Sequence, residues 1–165
     1  MNIMKHTLYL LVLWGLITMV TTGMERALAA ERALDLAEPT TIAMIIGRYE
    51  GQWVDHRSHR RGSVVITFAA NPHGGEKPFV REARFVGSAT LDPKKASVMA
   101  GKVERNTLVF VHSSGSSRYT FSEDNGEIKA HGEYRYETGP LIGHEGTQEL
   151  VRVSEATKMS AQKPE

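Results

Sequence analysis

The densest group of side chains that could do chemistry is the run from Asp55 to Arg61, which reads DHRSHRR. Its two histidines stand three residues apart, but a divalent ion needs further ligands, and the neighbouring arginine cations oppose its binding. Three guanidinium groups suit an anion or a carboxylate better. We therefore expect Arg57, Arg60 and Arg61 either to bind an anionic group or to lie in a solvated loop, and we expect no metal site.

Signatures of catalysis are scarce in the chain. It contains no His-Glu-x-x-His pattern, no phosphate-binding glycine loop and no Ser-His-Asp order. It has no cysteine, which excludes disulfides, thiolate metal sites and cysteine nucleophiles. Because the predicted interior carries almost no titratable groups, we expect a protein that is not an enzyme and has no cofactor. A carboxylate or histidine with a strongly shifted pKa beside an open cavity would favour catalysis instead.

The charge balance narrows the choice of partners. The 165 residues include 20 Lys and Arg against 19 Asp and Glu, a net charge of +1. Proteins that bind nucleic acid or anionic membrane surfaces usually carry a clear basic excess. We therefore expect no nucleic-acid partner, and the length fits one globular domain.

The N-terminal residues have the order of a secretory signal peptide. Lys5 precedes an apolar, uncharged stretch from 7 to 23, and Ala27-Leu28-Ala29 follows. We expect residues 1–29 to be removed, which leaves a periplasmic or extracellular protein without a transmembrane span. The alternative is an uncleaved signal anchor, which would export the downstream domain equally.

The remaining chain predicts an all-β domain. Residues 30–46 are expected to form a short helical lead-in, with one or two helical turns at Thr40–Ile46. Between 47 and 153, short runs rich in Val, Ile, Thr, Phe and Tyr alternate with turn residues. The runs predicted as strands are Arg48–Val54, Ser63–Ala70, Phe79–Leu91, Ser97–Glu104, Thr107–His112, Arg118–Ser122, Glu127–Tyr136 and Gly146–Val153. The third run is either continuous or broken by a bulge at Gly87. About eight consecutive strands predict an antiparallel up-and-down barrel, followed by a disordered tail at 154–165.

Turn residues and periodicity refine this prediction. Asn125-Gly126 is typical of a type I′ hairpin turn, and the serine-rich segment 113–117 is expected to be a flexible hairpin tip. In the strand from 79, alternation places Phe85 inside and makes Arg81 a mismatch. The clearest inward stripe consists of Ile128, Ala130, Gly132, Tyr134 and Tyr136. Small inward residues either let a tight barrel coil or leave a void for a ligand.

Three residues carry a resemblance to a known family. Gly51-x-Trp53 lies on the first strand after a helical turn, and Arg152 lies near the end of the last strand. This arrangement resembles the calycin superfamily of lipocalins, avidins and fatty-acid-binding proteins. The resemblance implies that Arg152 lies over Trp53 at the closed end of a barrel, that these residues are structural, and that the interior can hold a small molecule. The alternative fold is an unrelated β-sandwich with a tryptophan in its core.

Two functions remain open at this point. The first is an exported binding module that holds a small apolar or amphipathic ligand among aromatic side chains. The predicted ligand-binding aromatic residues are Phe68, Phe85, Phe110, Tyr119, Phe121 and Tyr134. The second is a cell-envelope interaction or inhibitor module whose barrel is filled. The sequence leaves the oligomeric state undetermined.

Overall fold

A computed structural model describes residues 31–88 and 94–153. The predicted signal peptide and the predicted disordered tail lie outside these ranges. The described chain contains one helix, α1, Pro39–Ile45. The strands are β1 Arg32–Ala33, β2 Gly47–Asp55, β3 Arg61–Ala70, β4 Phe79–Phe85, β5 Ser97–Glu104, β6 Thr107–His112, β7 Gly115–Asp124, β8 Glu127–Tyr136 and β9 Glu145–Arg152. No helix in these ranges meets the length and apolarity that a membrane crossing requires.

Eight of the strands form a closed barrel. From β2 to β9, each strand pairs antiparallel with the next along the chain, and β9 returns to pair with β2. The predicted eight-stranded antiparallel barrel is therefore confirmed. The Asn125-Gly126 turn is confirmed as well, because both residues have positive φ, 53° and 82°, as a type I′ turn requires.

Three local predictions are corrected. β4 ends at Phe85 rather than continuing to Leu91, since Gly87 turns the chain with a φ of 85°; residues 89–93 lie outside the described ranges. The serine-rich segment 113–117 is not a flexible hairpin tip. Only residues 113 and 114 form the turn, because β7 already begins at Gly115, which pairs with His112. The lead-in is only partly helical, because β1 pairs with β7 before α1 begins.

Helix α1 covers one end of the barrel. Pro39 lies in its first turn, where a missing N–H costs nothing. Ile45 is fully buried, and its carbonyl accepts a 2.9 Å hydrogen bond from the hydroxyl of Tyr49 at the start of β2. We call this the closed half of the barrel. It is packed with apolar side chains, among them Tyr49, Phe68, Leu108, Phe121 and Ile128.

The opposite end is formed by the β2–β3 and β6–β7 turns, the β8–β9 loop and the described parts of the β4–β5 connection, 86–88 and 94–96. We call the adjoining part of the interior the open half. Its inward side chains are more polar than those of the closed half. They include Trp53, Arg81, Ser97, Ser117, Tyr134 and Gln148. The barrel thus has one filled and one hollow half, and the hollow half holds the candidate site.

Candidate functional site

A cavity of about 470 Å³ occupies the open half of the barrel. In an up-and-down barrel, every second connection between strands lies at the same end. The cavity is therefore lined by the strand ends of the open half and by the loops that join them. The lining residues are Trp53, Asp55, Ser58, Arg60, Arg81, Phe85, Ser88, Ser97, Met99, Ser117, Tyr134, Tyr136, Pro140, Leu141, His144 and Gln148. The cavity therefore joins an apolar wall to a polar floor and a polar rim.

Trp53 forms part of the apolar wall. Its side chain is only 6% exposed, and its indole N–H donates a 3.0 Å hydrogen bond to the carbonyl of Val86. Gly62 lies beneath the ring, where a Cβ would come within 2.8 Å of the indole nitrogen. Phe85 and Leu141 line the same cavity. The indole is thus fixed, with its polar atom satisfied by the protein.

Arg81 forms the floor. It is 2% exposed, although alternation along β4 made an arginine unexpected at this inward position. Its Nη1 donates to the hydroxyls of Ser117 at 3.0 Å and Tyr119 at 2.9 Å. The Tyr119 hydroxyl in turn donates to Gln148 Oε1 at 2.8 Å. Strands β7 and β9 thus orient the Nη1 side of the guanidinium.

The other edge of the Arg81 guanidinium is poorly satisfied. Nη2 makes a long contact of 3.5 Å to Ser97 Oγ and a 3.3 Å contact to the weak acceptor Met99 Sδ, and the buried Nε has no hydrogen-bond partner. Within residues 31–88 and 94–153, no carboxylate forms an ion pair with Arg81. Burial, with a smaller contribution from the Arg81 charge, lowers the pKa of His112. Arg81 is therefore a buried cation that the described protein leaves unneutralised.

Asp55 organises the rim. Its Oδ1 accepts hydrogen bonds from the backbone N–H of Ser58 at 2.7 Å and from its hydroxyl at 2.8 Å. Its Oδ2 lies 2.8 Å from His144 Nδ1 and accepts a longer bond, 3.3 Å, from the hydroxyl of Tyr134. Burial by itself would raise the pKa of Asp55, but the Ser58 and His144 hydrogen bonds lower it to about 2. The carboxylate is thus ionised at neutral pH.

The β8–β9 loop is tied to the β2–β3 turn beside this carboxylate. Arg57 Nη1 donates a 2.7 Å hydrogen bond to the carbonyl of Ile142, and the His56 N–H donates to the carbonyl of Glu145 at 2.8 Å. Gly143 has a φ of 77°, and a Cβ there would lie 2.7 Å from Arg57 Nη1. A residue with a side chain would therefore disturb the contact that positions Leu141 over the cavity.

The structure separates the aromatic residues predicted to bind a ligand. Phe85 and Tyr134 line the cavity. The other four are packed against one another in the closed half, where their rings lie 5.0 to 6.1 Å apart in the closest pairs. Those four are Phe68, Phe110, Tyr119 and Phe121. Of this group, Tyr119 contacts the Arg81 floor through its hydroxyl, and the Phe110 ring centre lies 5.8 Å from the guanidinium carbon of Arg81.

The three arginines of the β2–β3 region are separated as well. Arg60 lines the cavity, and Arg57 binds the Ile142 carbonyl. Arg61 begins β3 and is exposed. The cation best placed for an anion inside the barrel is instead Arg81. Its signal in the sequence was its mismatch within an otherwise apolar inward stripe.

The strand register places Trp53 and Arg152 apart. Trp53 pairs with Gln148, whereas Arg152 pairs with Tyr49, four residues away and about 13 Å along the strand. The expected stack of Arg152 on Trp53 is therefore not formed in this register. Instead, Arg152 lies against Gly47, where a Cβ would come within 2.9 Å of its Nε. Tyr49 rather than Trp53 lies at the closed end, and Gly51 packs against the backbone of β9.

Comparisons with known proteins identify neither a family nor a related protein. The sequence matches no protein-family model and no curated protein. Within the described part of the chain, no three His, Asp or Glu side chains are grouped so as to hold a metal ion. The chemistry of the cavity therefore has to be inferred from its own residues.

Proposed function

We propose that this protein is an exported binding module that holds a small amphipathic molecule in the open half of its barrel. The observation that carries the proposal is the cavity of about 470 Å³, which lies within the range of roughly 300–1,000 Å³ typical of small-molecule sites. An apolar wall with a few convergent polar groups is the usual composition of such sites. The apolar part of the ligand would lie against Trp53, Phe85 and Leu141.

Two further features fit this proposal. A closed antiparallel barrel with a short helix over one end is the architecture that the calycin resemblance implies, and we propose membership of that superfamily on architecture alone. Export is proposed from the sequence of residues 1–29, which resembles a signal peptide. A binding module of this kind requires a hollow interior and no cofactor.

The proposal is tested with a neutral environment-sensitive dye, N-phenyl-1-naphthylamine. In a Trp14→Phe background, Trp53 is the only tryptophan of the chain and reports occupation of the cavity. We expect saturable dye binding with a matching change in Trp53 fluorescence. Absence of saturable binding would favour the filled interaction module.

Two neighbouring positions on β5 provide a matched control. Ser97 lines the cavity, whereas Val98 is 64% exposed on the outside of the barrel. Ser97→Phe should fill the cavity and abolish dye binding, while Val98→Phe should leave binding unchanged. Equal dye binding by both variants would place the dye outside the barrel and contradict the proposal.

A second function, catalysis, is favoured by one observation. The Asp55–His144 pair lies beside the cavity, and a carboxylate that holds Nδ1 of a histidine can orient its Nε2 as a general base. This function comes second because the Ser58 hydroxyl donates to Asp55 rather than to His144. Turnover of p-nitrophenyl butyrate that is lost in His144→Ala but kept in His131→Ala would establish it. His131 is a suitable control because it pairs with Glu149 on the outer surface.

A further inference from the structure

We propose that the open end of the barrel docks on an anionic lipid surface, with the mouth of the cavity facing the membrane. Six large aliphatic side chains of the described chain are exposed. Five of them lie around the open end, and we call these five the mouth ring: Val54, Val86, Val98, Val111 and Ile142. The sixth, Val151, lies on β9 in the closed half. Exposed apolar side chains that gather in one region mark an interaction surface, whereas single scattered ones need no explanation.

Strand geometry places the four valines of the mouth ring at one level of the barrel wall. Val54 precedes Asp55 at the end of β2, Val86 follows Phe85 at the end of β4, Val98 follows Ser97 at the start of β5, and Val111 precedes His112 at the end of β6. Because Asp55, Phe85 and Ser97 line the cavity, the alternation of side chains points their neighbours outward. Ile142 continues the ring in the β8–β9 loop. The ring surrounds the mouth instead of covering one side of the barrel, which favours end-on contact with a surface.

Exposed cations lie at the same end. They come from the β2–β3 turn, the start of β3 and the described part of the β4–β5 connection, and they are Arg57, Arg60, Arg61, Lys94 and Lys95. Within the described ranges, all of them except Lys94 lack an ion pair with a carboxylate. The exposed carboxylates of this end, in the same ranges, are Glu137 and Glu145. The surroundings of the mouth ring are therefore positively charged.

The opposite end of the barrel shows a different pattern. There Arg32 pairs with Glu123 at 2.8 Å, and Lys129 pairs with Asp124 at 2.7 Å. The net charge of +1 hides this asymmetry, because it sums the charges of both ends. In the described chain, only the open end thus combines a ring of exposed aliphatic side chains with a group of unpaired cations.

This combination fits a lipid surface better than a protein partner. The residues that dominate protein interfaces are mostly aromatic side chains and arginines set in well-packed pockets, whereas the mouth ring consists of aliphatic side chains spread around an opening. Aliphatic side chains can enter the boundary between head groups and acyl chains one by one, while cations are attracted to anionic head groups. The inference goes beyond the proposed function, since it concerns the outer surface and holds whether or not the cavity binds a ligand.

A fluorescent label tests the orientation of the docked protein. The chain has no cysteine, so one introduced thiol can carry the fluorophore NBD at a chosen position. Ile142→Cys places the label in the mouth ring, and Val151→Cys places it on the exposed aliphatic position of the closed half. Both full-length proteins have the same N-terminal residues, so an effect of those residues on binding is common to both.

The labelled proteins are mixed with vesicles of equal parts phosphatidylcholine and phosphatidylglycerol. We expect a blue shift and a severalfold increase in emission for the label at 142, and no change for the label at 151. Vesicles of phosphatidylcholine alone should give a much weaker response, because they lack the anionic head groups.

Two double variants with the same net charge test the role of the cations. Arg61→Gln with Lys95→Gln removes two cations from the open end, and Lys77→Gln with Arg105→Gln removes two exposed cations from turns of the closed half. Each cation near an anionic lipid surface raises the affinity about fivefold. The first double variant should therefore bind the anionic vesicles about 30-fold more weakly, and the second should change binding by less than about threefold. Cosedimentation measures binding, and circular dichroism verifies that both variants fold.

Four outcomes would overturn the inference. A response of the label at 151 as large as that at 142 would exclude end-on docking, and equal losses in the two double variants would show attraction by net charge alone. Equal binding to neutral and anionic vesicles would remove the role of the cations. Absence of vesicle binding by the wild-type protein would leave an acidic protein as the partner of the mouth ring. Dye binding in the cavity is measured without vesicles, so docking and the proposed function can fail separately.

Discussion

The two halves of the barrel are built from the same strands, yet one half is filled with packed apolar side chains and the other encloses a polar cavity. In the closed half, Phe68 is 1% exposed and its ring contacts those of Tyr49, Phe110, Tyr119 and Phe121. In the open half, the strands continue with serines, glutamine and a buried arginine around a cavity. Close packing stabilises a fold, whereas a cavity and a buried charge reduce its stability. We therefore expect the closed half to contribute most of the free energy of unfolding and the open half to contribute little.

The largest expected effect compares a phenylalanine from each half. Phe68→Ala removes the centre of the aromatic cluster and should lower the free energy of unfolding by about 3–5 kcal/mol. Phe85→Ala enlarges a space that already exists, so its cost should be clearly smaller. Urea denaturation of both variants measures the difference. Equal losses would mean that the two halves share the stability evenly.

The next effect concerns the rim of the open half and depends on pH. The pKa of Asp55 is lowered from 3.8 to about 2, so its ionised form stabilises the fold above pH 4 and this contribution is lost as the pH falls toward 2. The shift corresponds to about 2 kcal/mol. We expect Asp55→Asn to lose about that much at pH 7 and to match the wild-type protein near pH 2.

Glu50→Gln is the matched control for the rim. Glu50 lies on the same strand, but its side chain is 51% exposed and pairs with Arg48 on the surface. Exposed ion pairs contribute little, so this variant should differ from wild type by less than about 1 kcal/mol. A difference between wild type and Asp55→Asn that stays constant down to pH 2 would show that Asp55 acts through packing rather than charge.

A third prediction has the opposite sign. Without ligand, Arg81→Met should leave the free energy of unfolding unchanged or raise it by up to about 2 kcal/mol, because it removes a buried charge that has no acidic partner in the described chain. Part of the gain is offset, since Ser117 loses a hydrogen-bond partner. Thermal unfolding of this variant and of the wild-type protein measures the difference. A strong loss of stability in the absence of ligand would make Arg81 a structural residue.

The sequence was informative about the barrel and much less so about the site. Strand existence follows from runs of strand-forming residues bounded by turn residues, and β5, β6 and β8 begin and end where those runs do. The turn at Asn125-Gly126 follows from the need for positive φ. These signals depend only on residues that are neighbours in the chain, so they can be recognised in a single sequence.

The site depends on register, which no local pattern reveals. Arg81 could be recognised as a mismatch, but its serine and tyrosine partners come from β7, which lies far along the chain. The same limit explains the error over Arg152, because its partner across β2 is fixed by the pairing of the first and last strands. The prediction that the interior is almost free of titratable groups is wrong for the same reason. Asp55 and His144 meet only because β9 returns to β2.

The smallest expected effects come from removing one hydroxyl in each half. The Tyr49 hydroxyl is buried and donates a 2.9 Å bond to Ile45, so Tyr49→Phe leaves that carbonyl without its partner and should cost about 1 kcal/mol. The Tyr134 hydroxyl shares its one hydrogen between two acceptors, each 3.3 Å away, beside the cavity, where water can replace this interaction. Tyr134→Phe should therefore cost less than about 0.5 kcal/mol. Urea denaturation under identical conditions compares the two variants, and a larger loss in Tyr134→Phe would show that the rim is as tightly packed as the closed end.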